Sequence, residues 1–274
     1  MKQMKFLAIA FTLLMSVAFT SCMDSGTNSN PQGAAIVEVV DSYMGFTTMK
    51  TGDITFNPTS ASLATVGTTN GFKPSSTDIA YILYEYDPES SDNANFETTK
   101  KLTIDLKFAI SLDATSHVTE AGSSRDSVST APIIEIAKNA VATDQEFHIM
   151  NNRYLTAGIN YYLSGSKMHT FTLVCHPEEI TADAEDLKVY LRHRSQEKED
   201  FTGGDISSAR VGGQYPSLFF FAFDLQEALD RFITITGKNG GPLNIVVETD
   251  VNPNSTKLFD ATKKTYTIKF KSDK

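Results

Sequence analysis

Two histidines on neighbouring β-type runs are the residues whose type and spacing could do chemistry. In the run HTFTLVCH, strand alternation places His169 on one face with two apolar residues and Cys175. In the run LKVYLRH, the same alternation groups His193 with three apolar residues. If the two runs form a hairpin, a register that pairs His169 with His193 is available. That register would bring two potential metal ligands together.

We favour a structural role for this pair over metal binding. A structural zinc ion needs four ligands at about 2.0–2.3 Å. Cys175 cannot join the histidines, because six residues of strand at roughly 3.3 Å each place it about 20 Å from His169. Histidines at the ends of core strands instead bond to backbone or to each other and hold the hairpin register. We therefore expect no metal and no cofactor.

Signatures of catalysis are weak. No Gly-x-Ser-x-Gly motif occurs, and the run LSGSK at 163–167 is typical of a hairpin turn. Carboxylates crowd at 183–186 and 197–200, as expected for exposed loops of an acidic chain. A cryptic hydrolase would need two of them facing each other across roughly 5–9.5 Å. We expect no enzyme activity.

Tyr84 and Tyr86 are candidates for ligand binding. Aromatic rings can stack on a sugar or a peptide. Both tyrosines share a strand face with Ile82, which favours packing at the rim of a half-buried strand. The chain has no tryptophan, which further weakens a carbohydrate-stacking interpretation.

The first 21 residues predict an export signal that ends before a lipidated cysteine. Lys2 and Lys5 precede an apolar run from Phe6 to Phe19, which is too short to span a bilayer. The small residue before Cys22 is typical of a lipobox, although Phe19 replaces the usual leucine. The alternative is an ordinary cleaved signal with an incidental cysteine. Residues 22–32 are polar and predict a disordered tether.

Charge and cysteine content limit the partners and the stabilising bonds. The 274-residue chain carries 24 basic and 33 acidic residues, a net charge of −9, and loss of Lys2 and Lys5 with the signal changes it to −11. Such a chain repels phosphate backbones, so we expect no nucleic-acid partner. The sequence has two cysteines, so lipidation of Cys22 leaves only Cys175 and no internal disulfide.

The remaining chain predicts an all-β protein with two domains. Short apolar or alternating runs are separated by turn-type stretches. Residues 119–131 lack apolar periodicity, and we place a linker at 121–131, between domains at 33–120 and 132–274. The second domain contains about seven strands, which suit an antiparallel β-sandwich. Short helices are expected only at Ile134–Val141 and Asp224–Arg231.

The order of three motifs resembles the NigD-like lipoproteins of Bacteroidetes. The motifs are Arg153-Tyr154-Leu155, then HTFTLV from His169, then LKVYLRH to His193, all downstream of a lipoprotein signal. The resemblance covers about residues 150–195. It implies an OB-like small barrel followed by a β-sandwich, and a link to bacteriocin immunity.

We expect a non-catalytic, membrane-anchored binding or accessory protein whose two β-domains present loops to a partner, either another envelope protein or a bacteriocin-like toxin. The alternative is a module that binds glycans or peptides through the barrel face near Tyr84 and Tyr86. Met23, in place of Asp after the cysteine, favours the outer membrane over retention at the inner one.

Overall fold

The structure is a computed structural model that describes residues 30–41, 46–138, 146–162, 168–196, 216–239, 241–254 and 257–272. The predicted signal, Cys22 and most of the predicted tether lie outside these ranges. The chain divides into two compact units, and the boundary falls between Asp113 and Ala114. Within the described ranges, no helix is long and apolar enough to cross a membrane.

The first unit is a closed five-stranded barrel with the strand order β1-β2-β3-β5-β4. Its strands are β1 (Gln32–Asp41), β2 (Thr47–Thr51), β3 (Ile54–Pro58), β4 (Ile79–Glu85) and β5 (Lys101–Ser111). β3 and β5 pair in parallel, and the other pairs are antiparallel. The helices are α1 (Ser60–Asn70) and the single-turn α2 (Phe96–Thr99), with a 3₁₀ turn at Pro74–Ser76. This order, with α1 between β3 and β4, matches the predicted OB-like barrel.

The sequence pattern did not predict helix α1. Its eleven residues, SASLATVGTTN, include threonines and a glycine that favour helix poorly and form no apolar stripe. The helix forms because its ends are capped. The Thr59 hydroxyl accepts a hydrogen bond from the backbone N–H of Ser62 at 3.3 Å, and Gly71 ends the helix in the left-handed conformation.

The barrel begins before the predicted end of the tether. Gln32 is the first residue of β1, and the Pro31 carbonyl accepts a hydrogen bond from the backbone N–H of Tyr86. The prediction that the tether extends to residue 32 was therefore wrong at its last residues. The backbone pairing, which a polar composition does not reveal, fixes them to the barrel.

The predicted domain boundary at 121–131 was also wrong. Asp113 closes the barrel, because its carboxylate accepts the backbone N–H groups of Asp78 and Ile79, each at 2.8 Å. The described residues from Ala114 onwards belong to the second unit. The stretch 119–131 is fixed to that unit by backbone hydrogen bonds and not by a row of apolar side chains. Its sequence therefore shows no apolar periodicity. For example, the N–H of Thr119 donates to the Cys175 carbonyl and that of Thr130 to the His193 carbonyl.

The second unit is one nine-stranded sheet that curls over a shared core. Its strands are β6 (Asp113–Val118), β7 (Glu135–Ala137), β8 (Phe147–Met150), β9 (Tyr154–Tyr162), β10 (His169–Cys175), β11 (Asp186–Ser195), β12 (Pro216–Asp224), β13 (Gly241–Val251) and β14 (Thr262–Ser272). The order is β14-β13-β11-β10-β6-β12-β9-β7, and β8 pairs with β9. Helix α3 (Gln226–Thr236) and 3₁₀ turns at Pro177–Glu179 and Leu258–Asp260 complete the unit.

The predicted all-β class with two domains is confirmed, but the sheet is not purely antiparallel. β6 pairs in parallel with β10, and β11 pairs in parallel with β13. Leu155 and Phe223 from one half of the sheet share the core with Leu187 and Val247 from the other half. Of the helix predicted at Ile134–Val141, residues 139–141 lie outside the described residues, and the prediction was wrong for Glu135–Ala137, which pairs with β9 as a strand.

The seam between β1 and β4 depends on a glycine that faces an aromatic ring. Gly33 lies directly opposite Tyr84, and a Cβ atom at position 33 would lie 2.6 Å from Cζ and from the hydroxyl of that ring. The Tyr84 ring is buried and contacts Phe56, with ring centroids 5.0 Å apart. The ring therefore has little room to move away from a side chain at position 33.

We predict that Gly33→Ala lowers the free energy of unfolding of the barrel by about 1–3 kcal/mol, because the added methyl overlaps the Tyr84 ring. Urea denaturation followed by circular dichroism measures the change. The control is Gly67→Ala within α1, where the new Cβ would meet only the Phe72 carbonyl at 3.4 Å. The control variant is expected to gain up to about 1 kcal/mol. Equal stability of both variants would contradict the role of Gly33.

Candidate functional site

The structure brings the two predicted histidines into contact, although not in the predicted register. β10 and β11 pair Phe171 with His193, and His169 with Ser195. The two histidines are thus diagonal neighbours on one face of the sheet. Nδ1 of His169 lies 3.0 Å from Nε2 of His193. The predicted contact forms, but the direct cross-strand pairing was wrong by two residues.

The histidines belong to a group of stacked rings that we call the aromatic cluster. It consists of Tyr161, His169, Phe171, His193, Phe219 and Phe221. The His193 ring stacks on Phe171 with centroids 4.4 Å apart and planes 11° apart. The Tyr161 ring lies 4.9 Å from both His169 and Phe171, and 5.8 Å from Phe219. Strands β9, β10, β11 and β12 therefore meet at this one cluster.

His193 is held neutral inside the cluster. The residue is 3% exposed, and its Nδ1 lies 3.0 Å from the Pro132 carbonyl. Because that carbonyl can only accept, Nδ1 carries the hydrogen, and the neutral ring accepts the His169 Nδ1–H at Nε2. Burial lowers the pKa of His193 to about 4, with a smaller contribution from the His169 charge, and the Pro132 hydrogen bond opposes the shift.

This arrangement is suited to structure more than to metal binding. Each histidine directs one nitrogen at the other, so the space between them is filled by a hydrogen bond. Within the described ranges, no group of three or more histidine, cysteine or acidic side chains is placed to hold a metal ion. The sequence pattern did not predict the contributions of Pro132 and Tyr161. A backbone carbonyl on a distant loop cannot be recognised as an acceptor from residue types. The burial of His193, in contrast, was indicated by its alternation with apolar residues.

Cys175 lies on the predicted face of β10 but is remote from nucleophilic chemistry. It is 2% exposed among core residues. Burial, together with the charges of Glu179, Glu178 and Glu227, raises the pKa of the thiol to about 12. A thiol of this kind is not ionised at neutral pH and behaves as a small apolar side chain.

A cavity of about 100 Å³ lies between β6, β10 and the start of α3. Asp224 and Glu227 both line it, together with Cys175 and Ser116. Asp224 is already engaged. Its two oxygens accept hydrogen bonds from Arg153 at 3.0 and 2.6 Å, and one of them accepts the Gln226 backbone N–H at 2.9 Å.

These bonds determine the protonation of Asp224. Partial burial acts to raise the pKa of Asp224, but the hydrogen bonds from Arg153 and Gln226 and the Arg153 charge outweigh it, so the pKa is lowered. The carboxylate therefore serves to fix the start of α3 and is poorly suited to donate a proton.

Tyr84 and Tyr86 do not form an exposed stacking surface. Tyr84 is 1% exposed and points into the barrel, so its ring cannot contact a ligand on the surface. Tyr86 is partly buried and packs against the same core. The candidate assignment of Tyr84 to ligand binding was therefore wrong, because its strand face is the barrel interior and not its rim.

Comparison with solved structures shows the same two-unit fold in other proteins. A candidate lipoprotein from Bacteroides fragilis matches with a TM-score of 0.69 and 22% identity, over 89% of this chain and 100% of its own. A NigD-like immunity protein from Bacteroides caccae matches with a TM-score of 0.53 and 14% identity, over 90% and 100% of the two chains. A candidate toxin-related protein from Parabacteroides distasonis matches with a TM-score of 0.53 and 16% identity, over 89% and 95%.

No family model matches the chain, and no curated protein matches its sequence. At these identities the structural matches show the fold alone. The predicted resemblance to NigD-like lipoproteins is confirmed at that level, because a NigD-like immunity protein is among the structures that share the fold.

We predict that Tyr84→Phe leaves the free energy of unfolding unchanged or raises it by up to about 2 kcal/mol. The Tyr84 hydroxyl is buried and has no hydrogen-bond partner among the described residues, so its removal relieves a desolvation cost. The matched control is Tyr190→Phe, which removes a hydroxyl that donates to Glu179 at 2.5 Å. Urea denaturation is expected to show a loss of about 1 kcal/mol for the control. A larger loss for Tyr84→Phe would contradict this account.

Proposed function

We propose that the protein is a lipid-anchored accessory protein of the cell envelope that acts by binding a protein partner and not by covalent catalysis. The predicted export signal and Cys22 supply the anchor. The fold shared with a NigD-like immunity protein supports an immunity-type role, in which the partner is a toxin or another envelope protein. Met23 favours placement at the outer membrane.

The proposal rests on one observation, which is that the aromatic cluster is rigid at one end and exposes apolar side chains at the other. Its inner end is rigid, because His193 is buried and bonded on both ring nitrogens. Its outer end exposes apolar side chains, since Phe219 is 43% exposed and Met168, next to His169, is 59% exposed. Exposed aromatic and methionine side chains on a rigid base are typical of protein–protein contact sites.

The same geometry argues against the two alternative functions. A glycan-binding or peptide-binding barrel face needs accessible rings, and Tyr84 lies inside the barrel. A hydrolase built on loop carboxylates needs two of them facing each other. The carboxylates at 197–200 lie outside the described residues, and at the cavity the Asp224 carboxylate is committed to Arg153 and to the start of α3.

We predict that a crosslinking pull-down from envelope membranes recovers a specific protein with the native lipoprotein and loses it with Cys22→Ala. Phe219→Ser is expected to reduce recovery at least tenfold, because the side chain that anchors the contact is removed. The matched control is Phe259→Ser, which removes another exposed aromatic ring outside the cluster. Circular dichroism is the check that each variant remains folded.

Two outcomes would contradict the proposal. Recovery of no protein by the native lipoprotein would exclude a stable protein partner and redirect the search to glycan and peptide arrays. Equal recovery by Phe219→Ser and Phe259→Ser would show that the partner does not contact the outer end of the aromatic cluster.

A further inference from the structure

Strand β14 is an edge strand of the nine-stranded sheet. It stands first in the strand order, and all eleven of its residues pair with β13 in an antiparallel register without a shift. Among the described residues, no strand pairs with its other edge, and no backbone group from outside the sheet bonds to it. An edge strand directs alternate N–H and C=O groups away from its sheet. β14 therefore presents a row of backbone groups to which a further strand can bond.

The two edges of this sheet are protected to different degrees. Natural edge strands are usually short, bulged, covered or lined with charge, and these features prevent pairing with other chains. At the opposite edge, β7 has three residues and offers little backbone for pairing. β14 has eleven residues without a bulge and is roughly 34 Å long, at about 3.4 Å per residue. Its charged side chains are therefore its main protection.

The curl of the sheet brings β8 close to the first half of β14, where the contacts are made by side chains. The rings of Phe147 and Tyr266 lie with their centroids 5.3 Å apart, and Lys264 Nζ lies 3.5 Å from a Glu146 oxygen. Beyond these contacts, β14 continues from Thr267 to Ser272. Glu146 also demonstrates that a carboxylate can approach a lysine of this strand.

The charge of β14 is opposite to that of the whole chain. The strand, TKKTYTIKFKS, contains four lysines and no acidic residue, whereas the chain carries a net charge of −9. Lys263 pairs with Glu248 at 2.9 Å, but Lys269 is exposed and has no ion pair with a described residue. Lysines on two paired copies of β14 would repel each other, whereas an acidic strand would be attracted. The charge therefore disfavours a second copy and favours an acidic segment.

The two faces of β14 indicate the residue pattern of such a segment. Thr267 and Lys269 are exposed on one face, whereas Tyr266 and Phe270 are buried on the other. A strand added to this edge would place its side chains about 4.5–5.5 Å from those of β14 on the same face. A matching segment therefore alternates acidic residues on the exposed face with apolar residues next to the core.

We propose that the second half of β14, from Thr267 to Ser272, is a docking edge for an extended acidic segment of a protein partner. The segment adds a strand to the sheet by backbone hydrogen bonds, and its carboxylates pair with Lys269. This inference goes beyond the proposed function, because neither the anchor nor the aromatic cluster takes part in it.

Two labelled peptides test the docking edge on the mature lipoprotein in detergent. One is a capped heptapeptide of alternating glutamate and valine, and the other has lysine in place of each glutamate. Fluorescence anisotropy at low salt should detect binding of the glutamate peptide alone, and added salt should weaken it. Hydrogen–deuterium exchange measured by mass spectrometry should then slow in the peptic fragment that contains β14, because added strand pairing protects edge amides. Exchange in β1 of the barrel should not change.

Charge variants identify the lysine that the peptide meets. Lys269→Glu should weaken binding of the glutamate peptide by roughly threefold to tenfold, because an attraction becomes a repulsion. Lys269→Gln should cause a smaller loss in the same direction. The matched control is Lys50→Glu on β2 of the barrel, which changes another exposed strand lysine and should leave the affinity unchanged. Because Lys269 is exposed, its variants should keep the circular dichroism spectrum of the native protein.

Four results would overturn the docking edge. The first two are no binding of the glutamate peptide and equal binding of both peptides. The third is binding without slower exchange in β14, which would indicate charge attraction without strand pairing. The fourth is exchange in β14 that slows with protein concentration in the absence of peptide, because a second copy would then occupy the edge. None of these results bears on the pull-down with Phe219→Ser, so the two proposals can fail independently.

Discussion

The second unit depends on one hydrogen bond that a buried ring makes outside its own hairpin. His193 donates from Nδ1 to the Pro132 carbonyl, and this fixes residues 129–133 where the chain crosses from one half of the sheet to the other. The bond makes the ring an acceptor at Nε2, which in turn orients His169. The aromatic cluster is built on these two rings. The His193 tautomer with hydrogen on Nδ1 therefore fixes the backbone where it crosses the sheet and helps to close the core there. It also supports the cluster whose surface carries Phe219.

The barrel is held by a different constraint, the close approach of two strands. Closure of β1 on β4 removes the exposed edges that an open sheet would present for pairing with other chains. That closure places the Tyr84 ring over Gly33, so one position must lack a side chain for the other to be buried. Neither unit can rely on a disulfide, because Cys175 is free and buried. Packing and hydrogen bonds must therefore supply the stability of both units.

Sequence periodicity predicted the parts of the fold whose side chains alternate between core and solvent. β10 and β11 each place every second residue, including Leu173 and Leu191, in the shared core, and this alternation was enough to predict that His169 and His193 lie close together. It did not fix the register, because a shift of two residues leaves the same side chains on the buried face. Helix α1 was not predicted from the sequence, because the helix is defined by its cap at Thr59 and has no apolar stripe.

The domain boundary and the parallel pairings share a cause. Both depend on which distant strand the backbone meets, and backbone groups are the same in every sequence. β6 pairs in parallel with β10 although its own side chains, DATSHV, are mostly polar. For the same reason the Pro132 carbonyl, which determines the state of the candidate site, could not be recognised from residue types.

The functional account joins an anchor at Cys22 to folded units whose buried titratable groups serve structure. The anchor is the premise on which envelope placement and partner encounter both depend. Mass spectrometry of the N-terminal peptide from the native, membrane-extracted protein tests it most directly. The account predicts a peptide that begins at Cys22 and carries a diacylglyceryl thioether. A peptide that retains Lys2, or one that begins at or near Cys22 without lipid, would contradict it.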